Sequence, residues 1–317
     1  MRQDKTEGNA RAVVDQEAPQ EDAEEEAQEV AQEDPLAAAA TGPLARRTLV
    51  RGPHTAGRAI PAPQATRFGG HVSSSRRVRW IAIAVVAVVV VGCSGGERPV
   101  DISGSRAVSF RASDGIELEG RLFGDGTSAV VLSHMRPADQ TSWFAFATRL
   151  SDAGYLVLTY DFRGYCPGGP GGCSAGERDV PAMWQDVLGA IDLVRDRGAT
   201  RVSLIGASMG GTASLIAASR ADVDVRAVIS LSAPTSIEGL VVDPAVLSNV
   251  TAAKLFIAGL GDASAARDAQ ALHAQSPPPK RVEIVPVDDH GTDLLTGPRG
   301  EEVQRLIELY LELYAGP

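Results

Sequence analysis

Residues 202–219 read VSLIGASMGGTASLIAAS. The run VSLI predicts a strand, and MGGTASLIAAS predicts a helix. Between them stands Gly206-Ala207-Ser208-Met209-Gly210. The pattern G-x-S-x-G is weak by itself, and the chain carries it three times, at 92–96, 172–176 and 206–210. Only the third follows a strand and opens a helix, which gives the motif mechanical meaning. A tight turn there forces the serine into a strained conformation and lifts its Oγ above the sheet edge. Gly206 and Gly210 avoid side-chain clashes in that turn. The helix start offers N–H groups and a positive dipole end to a developing oxyanion, with Met209 N–H as the expected donor.

Outward from this turn, strand-like and helix-like segments alternate. Val108–Arg111 and Ile116–Leu122 read as strands joined at Asp114-Gly115, a hairpin turn pair. Ala129–Ser133 is a continuous apolar run, as in a strand buried on both faces. Tyr155–Tyr160, Val202–Ile205, Val225–Leu231, Lys254–Ala258 and Val282–Val287 are the further strands. Thr141–Ala153, Val180–Arg197, Met209–Ser219, Ala265–Ala274 and Glu301–Tyr314 are the helices. The alternation predicts one α/β domain over 107–317, a mostly parallel sheet with helices on both faces. No 20–50-residue repeat interrupts it.

A nucleophilic serine needs a base and an orienting acid; where the serine stands on a G-x-S-x-G turn between strand and helix, these follow it in the chain order Ser…Asp…His. His54, His71 and His134 precede Ser208 and are excluded as base. His273 lies within a helix, in ALHAQ. His290 follows the strand VEIVPV, at the edge where α/β sites form, and is the expected base. A plain loop histidine is the alternative. Asp262 follows the strand KLFIA and is the expected acid, with Asp243 as runner-up. Asp288 and Asp289 stand too close to His290 in sequence and are expected to be solvated.

GASMGG at 206–211, LSHMRP at 132–137, DFRGY at 161–165, IAGLGD at 257–262 and DDHGTDLL at 288–295 together resemble the α/β-hydrolase family. The likeness spans about 107–317. It implies acyl transfer with Ser208 as nucleophile, His290 as base and Asp262 as orienter. In that family a second oxyanion donor comes from the loop after the third strand, commonly after a His-Gly pair. Here His134-Met135 stands there, so Met135 N–H is the implied donor. The resemblance implies a serine hydrolase, an esterase first. A peptidase or acyltransferase shares the triad, and a non-catalytic binding lipoprotein on the same scaffold is the other class. Ser232–Ala253 is too short for a large lid, so the site is expected to be open and suited to short, soluble esters.

Cys166 and Cys173 bracket Pro-Gly-Gly-Pro-Gly-Gly. In an exported protein they are expected to form a disulfide; in a reducing compartment they stay free thiols. No P-loop, no G-x-G-x-x-G and no metal-ligand set is present, so neither a cofactor nor a metal is expected.

The whole chain has 317 residues, 44% hydrophobic, with net charge −10. That composition excludes collagen, coiled coil and wholesale disorder, and three cysteines exclude a disulfide-dense scaffold. The excess of acid argues against a nucleic-acid partner. The charge is uneven: 1–34 hold twelve Asp/Glu and three Lys/Arg, 35–92 hold eight Arg and no acid, and 93–317 carry −9. Residues 1–75 are expected to be a disordered leader, or to lie largely upstream of a true start at Val72. Arg76, Arg77 and Arg79 precede the apolar run Trp80–Val91, the layout of a signal peptide over 76–92. Val90-Val91-Gly92-Cys93 resembles a bacterial lipobox, which implies lipidation of Cys93. The expected product is an exported lipoprotein, anchored to the outer face of the cytoplasmic membrane, with a polar tether over 93–106.

Overall fold

Sequence alternation becomes a single eight-stranded sheet in the computed structural model, which describes residues 102–167 and 172–317. These fall within one compact unit, Ser94–Pro317. The strands are β1 (Arg106–Arg111), β2 (Glu117–Phe123), β3 (Ser128–Ser133), β4 (Leu156–Tyr160), β5 (Arg201–Ala207), β6 (Val225–Leu231), β9 (Ala253–Gly259) and β10 (Lys280–Val285), with a separate two-stranded ribbon of β7 (Ser236–Ile237) and β8 (Leu240–Val241). The sheet order is β1-β2-β4-β3-β5-β6-β9-β10. Within this sheet β1 pairs antiparallel with β2, and β2 with β4; its remaining pairs are parallel, and the β7–β8 ribbon is antiparallel. The expected α/β class and mostly parallel sheet are therefore present.

Burial explains the apolar runs. Every residue of β3, β4 and β9 is buried. Successive side chains of a strand point to opposite faces, so both faces must be covered. Val131, Leu158, Leu204 and Phe256 join one core with Val187 of α2 (Met183–Asp196) and Leu215 of α3 (Met209–Ala218). Their neighbours Val130, Val157, Ile205 and Leu255 are equally buried and face the other way. Two further helices, α1 (Phe144–Asp152) and α6 (Gly300–Ala315), are linked by Arg149, which bonds Glu308 and Glu301. α6 buries Val303, Ile307, Tyr310 and Leu311, the stripe its sequence spacing predicts.

Boundaries shift by a few residues. α5 runs Ala263–Gln275, starting earlier than expected because Asp262 caps it, accepting from Ala265 N–H at 3.3 Å. β10 ends at Val285, before Pro286. The segment after β6 contains the ribbon and α4 (Pro244–Asn249), neither of which was expected. It holds no large lid. Asp243 caps α4 through Val246 N–H at 2.8 Å, which gives the runner-up acid a structural task.

No helix among the described residues is long and apolar enough to cross a membrane. The leader, the signal segment and Cys93 lie outside the described residues.

Candidate active site

Ser208 sits between β5 and α3 with φ 48° and ψ −117°. Left-handed backbone is costly for a residue with a Cβ, so the surroundings must hold it. They do so from both sides. Ser208 N–H donates to Leu231 O of β6 at 2.7 Å. Behind the turn, a Cβ on Gly210 would lie 2.6 Å from the His134 carbonyl oxygen and closer still to that of Ser133. A Cβ on Gly206 would meet the backbone of Gly210 and Gly211. Both glycines are therefore required by close backbone approach, as the motif implies.

Asp262 and His290 meet across the C-terminal edge of the sheet. His290 Nδ1 donates to Asp262 Oδ2. Backbone bonds hold their two loops together: Leu260 N–H to Val285 O at 2.7 Å and Gly261 N–H to Val287 O at 2.9 Å. Burial works against the Asp262 charge. The bonds from His290, Ala265 N–H and Ser264 outweigh it, holding the carboxyl below its ordinary range. Asp262 thus stays ionised and fixes the proton of His290 on Nδ1, leaving Nε2 as a base. The His290 side chain is 42% exposed.

Gly291, next to His290, approaches the turn that carries Ser208: a Cβ on it would lie 3.4 Å from Ala207 Cβ and would press on Met135 Sδ. Its N–H donates to Ser232 Oγ at 3.1 Å. Ser232, with φ 55°, in turn donates its own N–H to Ile257 O at 2.7 Å. No sequence pattern flagged Ser232; its place just past the end of β6 was the available signal. Among the described residues no hydrogen bond links Ser208 Oγ to His290. Such bonds are often long until substrate closes them.

The structure brings both named N–H groups to this edge. Among the described residues, neither Met209 N–H nor Met135 N–H donates to a protein acceptor. Met135 lacks positive φ, so the missing glycine carries no backbone strain there. Below it, His134 is fully buried, donating Nδ1–H to Met135 O at 2.9 Å. Burial pushes this imidazole down to about 4.

The loop after β4 is pinned to the β1–β2 turn and to α2. Arg163 is almost fully buried and bonds Asp186 and Asp114 through its guanidinium. Burial pushes Asp186 up to about 6, with Arg163 pulling it back. Cys166 and Cys173 are joined by a disulfide. Ser174, in the second G-x-S-x-G, is consumed structurally: its Oγ accepts from Glu119 N–H at 3.0 Å and donates to Asp161 O at 2.5 Å. Asp288 is exposed as expected. Asp289 is not solvated as expected, because its Oδ2 is buried without a hydrogen bond, against Gly297.

Residues 128–287 match the family described as alpha/beta hydrolase fold. The chain belongs to that family. Among solved structures, this α/β hydrolase is similar to an esterase of Pyrococcus furiosus, at 18% identity and TM-score 0.57, covering 70% of this chain and 98% of the other. It is similar to a dienelactone hydrolase from Anabaena variabilis, at 21% identity and TM-score 0.55, covering 67% and 99%. An esterase from Exiguobacterium antarcticum shares 19% identity with it at TM-score 0.51, covering 65% and 100%. No curated protein matches it by sequence. At these identities the likeness to solved structures is one of fold.

Proposed function

We propose that this α/β hydrolase cleaves carboxylic esters through an acyl-enzyme on Ser208. The observation that carries the reading is the strained Ser208 at a helix start, with the His290–Asp262 pair on the same sheet edge. Ser208 Oγ attacks the ester carbonyl while His290 Nε2 takes its proton. Asp262 stabilises the imidazolium that forms. The N–H groups of Met209 and Met135 receive the oxyanion, in a position fixed before reaction. The alcohol leaves with the proton from His290. Water, deprotonated by His290, then attacks the acyl carbon and releases the acid, restoring Ser208.

Esters rank first because two of the fold neighbours named above are esterases, and because the segment after β6 holds only a ribbon and a short helix. Small soluble esters can reach such a site. In the same reading, Cys93 carries a lipid after removal of 76–92, the leader 1–75 is absent from the mature chain, and residues 93–106 tether the domain outside the cytoplasmic membrane. The Cys166–Cys173 disulfide agrees with an oxidising compartment.

The test is hydrolysis of short neutral esters by wild type and Ser208→Ala, both checked for folding. We expect the substitution to abolish turnover with the melting profile retained. Wild-type activity in the folded variant would overturn the reading. Peptides from residues 12–46 in native protein would overturn the absent leader, and native protein without lipid on Cys93 would overturn the anchor.

A further inference from the structure

Three loops that leave the Ser208 edge of the sheet meet in one charged cluster. Arg136 follows Met135 after β3; Arg178 lies in the segment between β4 and α2; Glu238 is at the tip of the β7–β8 ribbon after β6. Arg136 Nη1 donates to Glu238 Oε1, and Arg178 Nη2 donates to Glu238 Oε2 at 3.3 Å. The Arg178 guanidinium lies 6.0 Å from the Tyr165 ring centre, and Tyr165 packs edge-on against His134 at 4.6 Å. The cluster therefore overlies the loop that presents Met135.

Two features set it apart from an ordinary surface ion pair. Glu238 has φ 44° in a two-residue hairpin loop, Glu238-Gly239, where Asn, Asp or Gly is usual. A left-handed glutamate is unfavourable, and here its carboxylate is bonded by two arginines. Second, charge and donors are left over. Two guanidiniums share one carboxylate, and Glu238 takes one N–H group from each. A guanidinium has five. Among the described residues, neighbouring Glu177 and Asp179 make no ion pair with either arginine. All three cluster side chains remain partly open to solvent, at 35%, 46% and 41% for Arg136, Glu238 and Arg178.

We propose that Arg136 and Arg178 form a carboxylate-binding pair at the rim of the Ser208 site, selecting esters that also carry an acid group, such as half-esters of short dicarboxylic acids. This deepens the ester-cleavage reading and rests on it. Arginine suits the task because its planar fork matches a carboxylate. The domain as a whole is acidic, so an anionic substrate needs a local positive pair to approach. Glu238 holds the two arginines ready and competes with the substrate acid group for them.

The test compares kcat/KM for monomethyl succinate, glutarate and adipate with that for methyl valerate, by acid release at constant pH. Wild type is expected to favour at least one half-ester about tenfold, through KM. Arg178→Gln and Arg136→Gln should each lower the half-ester-to-valerate ratio about tenfold, and Glu238→Gln should raise it. Added salt should shrink the wild-type ratio. A wild-type ratio of one or less for every half-ester, or a ratio unmoved by both arginine substitutions, overturns the proposal.

Calorimetric binding separates this failure from failure of the ester reading, since it needs no turnover. Monomethyl glutarate should bind Ser208→Ala about tenfold tighter than the folded double variant Ser208→Ala/Arg178→Gln. Equal affinities, or no binding to either, overturn the arginine pair. Absence of Ser208-dependent turnover of methyl valerate overturns ester cleavage alone.

Discussion

Phe162 N–H donates to Nε2 of His134 at 3.1 Å. That bond makes Nε2 an acceptor and places the imidazole proton on Nδ1, where it reaches Met135 O. A fully buried, neutral histidine thereby links the loop after β4 to the loop that presents Met135 N–H. Asp161 Oδ1 stands 3.9 Å from the same ring, and burial pushes that carboxyl up to about 6.

The His134 linkage has a definite pH sign. Burial lowers its value from 6.5 to about 4, against the pull of the Met135 carbonyl. Between those values the unfolded chain binds a proton that the folded chain refuses, so this group's effect is a loss of stability as pH falls. The total is about 3 kcal/mol. Gln has no such titration. Urea unfolding at pH 7 and pH 4.5 should show the cost of His134→Gln shrinking toward acid. A cost independent of pH contradicts the neutral, buried imidazole.

Asp262→Asn should keep the fold and lose the fixed Nδ1 proton of His290. Turnover of neutral esters should fall about 10³–10⁴-fold, as when a triad carboxylate becomes an amide. A loss below tenfold in steady-state kinetics would show that His290 is oriented by something else.

Gly210→Ala forces a methyl group against two backbone carbonyls that cannot retreat cheaply. We expect a destabilisation of about 1–3 kcal/mol by chemical unfolding. An unchanged midpoint would mean that α3 and the loop after β3 are not in the close contact described.

The disulfide closes a short loop, with a sequence separation of 7. Replacing both Cys166 and Cys173 by Ser should cost roughly 2–3 kcal/mol in the loop-entropy account. Two titratable thiols in the folded native protein would show the bond to be absent there.

The sequence carried the signals that are local. VSLIGASMGG encodes strand, turn and helix within one short run, so Ser208 and its glycines were legible. Asp262 and His290 were legible because each follows an apolar strand in the required order. Their contact and the left-handed backbone at Ser232 were not legible, because they depend on loops brought together by sheet order. The Arg136–Glu238–Arg178 cluster was invisible for the same reason: its members lie 42 and 60 residues apart. The ribbon leaves no signal in sequence, because its strands have two residues each, too few to show a period. The burial of Asp289 Oδ2 was not legible, because proximity to His290 in sequence says nothing about which oxygen Gly297 covers.

An activated nucleophile at Ser208 reacts with a fluorophosphonate in the folded protein, and peptide mass spectrometry maps the adduct. We expect one stoichiometric adduct on Ser208, lost in Ser208→Ala and slowed in Asp262→Asn. An adduct on another residue, or none at Ser208 in the folded wild type, would show that Ser208 is not the activated nucleophile.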